Sequence, residues 1–283
     1  ECNKMIEYKW ELLEFLTSNF EIPIDKLNKD TYNQIINLYP SHRMLLKHWK
    51  VGHSKLAWYV RQNPKVINIF KEIWKEDDLI TSFDACSIYI LDKPVRENIS
   101  WFHVDQSYTR NNRECIQGWI NAYDTNVGDS TLIILENSNN YHKKFQEHFE
   151  ITNTKDWYKL NETEIQFYIE NDCKIKAIKC PKGFAVLWDS RTVHYGNPVQ
   201  KIDNFNYRCV VYICMVPRNF ATKKQLEKRT KIFMEGRMTS HWPHKPIYVS
   251  KYPQTYGKPI MNIKDIHMDE IKSYIDNTGY KLI

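Results

Sequence analysis

Apolar residues near the start of the chain recur at three- and four-residue steps. Ile6, Trp10, Leu13 and Leu16, widened by Leu12 and Phe15, form one stripe between charged positions and predict an amphipathic helix over about 5–19. Asp30 or Thr31 is placed to cap a second short helix running to Tyr39 and stopped by Pro40. Two further helical segments, near 53–62 and 64–75, are separated by the helix-starting step Asn63-Pro64. Together these predict a helical buttress over 1–78.

From Leu79 the pattern changes to short apolar runs, among them SIYIL, CIQGWINAY, STLIILEN, IKAIKC, GFAVLW and RCVVYICMV, punctuated by Gly, Pro, Asn and Asp. This predicts seven or eight strands. So many short strands gathered in one part of a chain favour an antiparallel sandwich or barrel over alternating βαβ units. The expected fold class is therefore α+β, mainly β, with a double-stranded β-helix (jelly-roll, cupin-like) core over 79–217. A polar, helical insert carrying Trp157 and Phe167 interrupts the strands at about 137–172. A helix over 221–236 follows the last long strand, and the Pro-, Tyr- and Trp-rich tail is expected to wrap the surface in extended form. Insert and helix are candidate lids. No linker or repeat divides the 283 residues, so one domain is expected, with 218–283 as its C-terminal helix and tail.

Composition narrows the class. Nine Trp, eighteen Tyr and twelve Phe exclude a disordered chain. A net charge of +6 is too modest to indicate nucleic acid, and the basic cluster Lys223, Lys224, Lys228, Arg229, Lys231 reads as a solvated helix face. Seven cysteines without CxxC spacing suggest neither a disulfide framework nor a zinc knuckle. Cys209 and Cys214 are an odd number of positions apart on one strand and read as core residues on opposite faces. No apolar run approaches the roughly 18 residues of a membrane span, and ECNKMIEYKW has no signal-peptide core. A soluble, cytoplasmic protein is the expectation. With eight glycines there is no phosphate-cradling loop and no nucleophile elbow.

The chemistry is carried by histidines. His103 and Asp105, two residues apart on a strand, project from one face. The apolar strand GFAVLW then leads through Asp189-Ser190-Arg191-Thr192-Val193 to His194. Two imidazoles and one carboxylate make a facial triad that leaves open positions on an octahedral Fe(II) for 2-oxoglutarate and O2. Arg208, fourteen residues after His194 and at the head of RCVVYICMV, offers a planar fork of donors to the distal carboxylate of 2-oxoglutarate. An HxD pair alone is weak; HxD, distant His and following Arg in that order is a much stronger signal. Asp189 and Arg191 are expected to brace the turn holding His194, or to be a plain surface ion pair.

These residues resemble the phytanoyl-CoA dioxygenase family of Fe(II)/2-oxoglutarate oxygenases. LAWYVRQNPKVINIFKEIW at 56–74, then DDLITSFDA, WFHVDQS, CIQGWINAYD, GDSTLIILENSNNYH and GFAVLWDSRTVHYGN follow the family's block order over roughly 50–217. The resemblance implies His103, Asp105 and His194 as iron ligands, Arg208 as the 2-oxoglutarate anchor and ascorbate as a reductant. Trp119 stands where the family has a cofactor-side aromatic, and alternation puts Gln117 and Asn121 on its face. Gln117 and Trp119 are thus cofactor-binding candidates, or else an ordinary core Trp and its hydrogen-bonded neighbour. The chain departs from the family in having Gly196 where a hydroxyl residue is common, and in a longer His-to-Arg interval taken up by the stretch Gln200 to Phe205. An intact Asp105 argues against a halogenase.

His241 and His244 read as surface or packing residues, because Pro243 forbids the regular helix that would make their spacing useful. His142 reads as a loop-fixing residue. The expected reaction is hydroxylation of a small molecule with release of succinate and CO2; the alternative is a non-catalytic or cupin-type metal-binding protein on the same scaffold. Trp101, Tyr108 and Trp188 are candidate pocket aromatics, and nothing in the sequence selects the substrate.

Overall fold

Helix α1 (Cys2–Thr17) buries Met5, Leu12, Leu13 and Leu16 along one stripe. In this computed structural model residues 1–39, 44–92, 100–201, 203–249, 253 and 261–283 are described. Pro40, the expected stop of the second helix, and residues 250–252 and 254–260 of the expected extended tail lie outside them. The second segment, Lys29–Leu38, is a 3-10 helix rather than an α-helix, and its cap is Asn28, whose side chain accepts the Asp30 N–H at 3.1 Å. Thr31 is instead occupied, accepting the Asp25 N–H at 2.9 Å and donating to the Asn28 carbonyl at 2.7 Å. Helices α2 (Lys55–Arg61) and α3 (Pro64–Trp74) follow; Asn63 caps α3 with Pro64 in its first turn, the position where a missing N–H costs nothing.

Eleven strands are described: β1 (Leu45–Leu46), β2 (Leu79–Thr81), β3 (Cys86–Tyr89), β4 (His103–Val104), β5 (Ile116–Asn121), β6 (Thr131–Leu135), β7 (Tyr158–Lys159), β8 (Ile175–Ala177), β9 (Ala185–Asp189), β10 (His194–Asn197) and β11 (Arg208–Pro217). All pairs are antiparallel, in two sheets ordered β1-β3-β11-β5-β9, with β2 also on β11, and β7-β4-β10-β6-β8. The pairs β3·β11, β4·β10, β5·β9 and β6·β8 are nested one inside the next along the chain. Helices hold 36% of the residues and strands 20%, so the chain is mixed α and β rather than mainly β by content; the short strands account for the difference.

Period-two alternation sorts β11 onto two surfaces. Cys209, Val211, Ile213 and Met215 join the cluster that contains Leu13, Leu16, Trp58 and Phe70, so α1–α3 cover that face. Val210 and Tyr212 face the other way, meeting Trp119, Leu132 and Trp188 from both sheets. Cys214 is on that opposite side too, beside Cys115 and Trp242. All seven cysteines are free.

The insert carries a 3-10 turn (Ser138–Tyr141), α4 (His142–His148), β7 and α5 (Glu162–Glu170). Phe145, Phe167 and Tyr168 pack on Phe102, Val104, Ile133 and Leu135 and so cover the outer face of the second sheet. After α6 (Lys223–Met234), capped by the Thr222–Gln225 box, the chain does not simply wrap the surface. Thr239 bridges Tyr248, Ser240 N–H bonds the Ile247 carbonyl at 3.1 Å, and Trp242 is buried. Burying that indole draws the segment inward. Two short helices, α7 (Met268–Ser273) and α8 (Asn277–Lys281), were not expected from the sequence. No helix among the described residues is long and apolar enough to cross a membrane.

Candidate metal centre

The pairing of β4 with β10 sets His103 directly opposite His194. Their ring centroids are 4.4 Å apart. Asp105 follows β4 on the same face, and its N–H bonds the Ser190 carbonyl at 3.0 Å, tying it to the segment that leads to His194. The three side chains are buried and each offers a donor atom, all within 4.8 Å of one another. His194 Nε2 is 3.2 Å from Asp105 Oδ2, and His103 Nε2 is 3.5 Å from Oδ1.

Each ring is fixed from behind. His103 Nδ1 lies 3.2 Å from the Trp101 carbonyl, and His194 Nδ1 lies 2.8 Å from the Thr192 carbonyl. With Nδ1 as the protonated donor, Nε2 presents its lone pair inward, the tautomer a metal requires. Trp101 stacks on His103 with centroids 4.7 Å apart and planes 6° from parallel. Burial, assisted by neighbouring His194, pushes the His103 pKa down to about 4. Burial alone would raise the Asp105 carboxyl, but the imidazoles of His241, His103 and His194 hold it well below the usual carboxylate range. The donor set is thus a neutral imidazole and a carboxylate beside a second imidazole, chemistry that fits a divalent first-row metal.

Further contacts stiffen the frame. Gln117 donates to Asp105 Oδ2 at 2.8 Å, while Gln106 accepts from Ser190 at 2.8 Å and so joins the two ligand-bearing segments. Arg191 makes a two-point contact with Asp189, at 2.9 and 2.7 Å, and reaches the Asn111 carbonyl at 2.6 Å. That braces the turn before His194, in place of a plain surface pair. His142 Nε2 lies 3.1 Å from the Ser107 carbonyl and fixes the loop after β4.

A cavity of about 580 Å³ opens onto the triad. Arg208 lines it from the head of β11; Nε donates to Ser87 at 3.0 Å and Nη1 to the Ser130 carbonyl at 3.1 Å. Its Nη2 has no hydrogen-bond partner among the described residues. The long loop before it is gathered by buried Asp129, which accepts from Lys201 Nζ at 2.9 Å and from Asn206 Nδ2 at 3.0 Å. Trp119 lies beneath the guanidinium, with 5.4 Å from ring centroid to Cζ, and packs in the layer between the sheets rather than on the cavity wall. Asn121 turns away, donating to the Tyr123 and Cys180 carbonyls. Gly196, Trp101 and Trp188 also line the cavity; Tyr108 is packed against Phe145 and His142 instead.

Among the lining residues that sequence reasoning did not place at the site are the polar groups Lys47, Asp84 and His241. His241 is therefore more than a packing residue, because the Thr239–Tyr248 bridge folds the tail over the opening. His244 does pack, buried between Phe220 and Trp242. Lys47 carries no motif, and Asp84 is visible only as a lone acid before β3.

No family model matches the chain. A protein of Aspergillus versicolor named Ava biosynthesis cluster protein O is 28% identical over 244 residues, covering 80% of this chain and 75% of its own length. Among solved structures, a Salmonella typhimurium LT2 protein provisionally described as an oxidoreductase matches with TM-score 0.57 and 12% identity, over 97% of this chain and 78% of its own. The GlcNAc Inducible Gene 2 product of Candida albicans, assigned to DUF1479, matches with TM-score 0.54 and 15% identity, over 83% of this chain and 63% of its own. At such identities the likeness shows a shared fold.

Proposed function

We propose that the protein is an Fe(II)- and 2-oxoglutarate-dependent oxygenase of the phytanoyl-CoA dioxygenase type, hydroxylating a small molecule in a single domain. The observation that carries this reading is the convergence of His103, Asp105 and His194 donor atoms within 4.8 Å at a cavity also lined by Arg208. The nested strand pairs support a double-stranded β-helix, since a long hairpin wound on itself pairs first strand with last and so inward. Iron held there with 2-oxoglutarate supplies oxygen activation and oxidation of a substrate C–H bond.

The chain's own part is positional. His103, Asp105 and His194 would hold the metal, their rings and carboxylate preset by backbone carbonyls and Gln117. Arg208, held by Ser87 and the Ser130 carbonyl, directs its remaining N–H groups at a carboxylate. Trp101, Trp157, Trp188 and Trp242 give the chamber aromatic walls. The name of the Aspergillus relative, a biosynthesis-cluster protein, supports a small-molecule substrate.

The test is an anaerobic titration with Fe(II) and 2-oxoglutarate, following the visible metal-to-ligand absorption. Wild type should develop the band, His103→Ala should lose metal, and Arg208→Ala should bind metal but need far more 2-oxoglutarate. Metal binding without the band in wild type would refute the oxygenase reading and leave a metal-binding protein on this scaffold.

A further inference from the structure

The cavity is also lined by polar groups outside the His103–Asp105–His194 triad. Lys47, just after β1, and Asp84, just before β3, both line it, together with His241 from the folded-back tail. The Lys47 ammonium is half-buried, with no hydrogen bond or ion pair among the described residues. Asp84 Oδ1 takes the adjacent Ala85 N–H at 2.7 Å, and the carboxylate reaches no cation in ion-pair contact among the described residues. His241 Nε2 is likewise buried without a hydrogen-bond partner among the described residues. Met44, Trp101, Trp157, Trp242, Ile247 and Val249 supply apolar and aromatic wall, while the other carboxylate there outside the triad, Asp156, is already paired with Arg110.

We infer that Lys47 and Asp84 receive the carboxylate and the ammonium of a zwitterionic substrate, an amino acid with an apolar or aromatic side chain, and that His241 adds a hydrogen bond to the same head group. Two opposite charges face one chamber without closing on each other. A ligand carrying both charges completes both pairs at once; a ligand with one charge leaves the other desolvated and alone, which is the costly case. Burial lowers the Lys47 pKa and raises that of Asp84, and this desolvation outweighs the opposing pull of Asp84 on Lys47 and of His241 and Arg61 on Asp84. Asp84 is held in place independently, since its carbonyl accepts from Arg61 Nη2 at 2.6 Å. The aromatic walls then select the body of the molecule.

This inference takes from the proposed function only that the chamber is where substrate sits. It is therefore tested without metal, by calorimetric titration of the full metal-free chain with L-tryptophan, L-phenylalanine, L-methionine and L-leucine. N-acetyl-L-tryptophan lacks the ammonium and tryptamine lacks the carboxylate. At least one free amino acid should bind saturably, and for tryptophan loss of either charge should weaken binding about tenfold or more. Lys47→Met should weaken binding of the amino acid but not of tryptamine, with Lys47→Arg restoring most of it; Asp84→Asn should spare N-acetyl-L-tryptophan. The inference is overturned if none of the four amino acids binds, if the blocked derivatives bind as well as tryptophan, or if folded Lys47→Met binds like wild type. None of these results bears on iron or 2-oxoglutarate, which the preceding titration reads separately.

Discussion

The Gln117 side-chain amide donates to Asp105 Oδ2 at 2.8 Å, from β5 across to the segment after β4. The contact is buried and joins the two sheets at the His103–Asp105–His194 cluster. Gln117, a cofactor-binding candidate from the sequence, lines the cavity and supports the carboxylate of Asp105. Replacing it with Leu should leave the fold intact and lower Co(II) or Fe(II) affinity roughly 10–100-fold, the usual cost of removing a partner of a metal ligand. Titration of the variant followed by cobalt absorption checks this. Affinity equal to wild type would show that the other contacts suffice to set Asp105.

Gly196 stands where a hydroxyl residue is common in the resembled family. A Cβ there would meet only Trp101 Cζ2, at the ordinary contact distance of 3.8 Å. We predict that Gly196→Ser folds with a melting temperature near wild type and binds 2-oxoglutarate more tightly by a fewfold. A contrasting position is Gly52, where a Cβ would lie 2.4 Å from the Asp84 carbonyl oxygen. Gly52→Ala must displace backbone and should cost about 1–3 kcal/mol, read by urea denaturation. Equal stability of the two variants would contradict this packing.

Four buried histidines set an acid limit. Burial pushes His53 to about 3 and His103, His142 and His244 to about 4. Their folded pKa values lie below the unfolded value, so above pH 6.5 they contribute no pH dependence. As pH falls below that, the unfolded chain gains protons that the folded chain refuses. Stability should fall by up to about 1.4 kcal/mol per pH unit for each such histidine, down to about pH 4. Melting temperatures at pH 7, 6 and 5 test it, and a flat profile would sink the prediction. The metal-free protein is the one to measure, because bound metal adds its own proton competition.

Lys9 lies fully buried in α1, its ammonium 2.8 Å from the Tyr123 hydroxyl and 3.6 Å from the Trp10 ring centroid. Burial lowers its pKa to about 8. The folded value is below the unfolded one, so the charged lysine costs stability below pH 8, a cost relieved as pH rises toward 10.5. Lys9→Met fills the same space without a charge. At pH 7 it should be as stable as wild type or more so, with the advantage shrinking by pH 10. A variant several kcal/mol less stable at pH 7 would mean that the cation–π contact outweighs desolvation.

The sequence by itself determined most of the local elements and which residues are candidates for the triad. Spacing of three and four located α1, and the Asn63-Pro64 step located the start of α3, because those preferences are written within one turn of backbone. The two-residue step from His103 to Asp105 put both side chains on one face, because strand alternation is a local rule. Insert and β-rich region were legible for the same reason. What only the tertiary structure decided is which distant residues share the chamber. His194 meets His103 through the β4–β10 register, which turns and strand order fix and no single segment encodes. Gln117 bonds Asp105 because the sheets pack at that point. Lys47, Asp84 and His241 line the cavity from the segment after a short edge strand, a loop and the folded-back tail. None lies at a periodic position, and burial of Trp242, with the bridge from Thr239 to Tyr248, turns the tail inward. Local periodicity fixes which way a side chain points within its own element; the assembly of elements fixes what it points at.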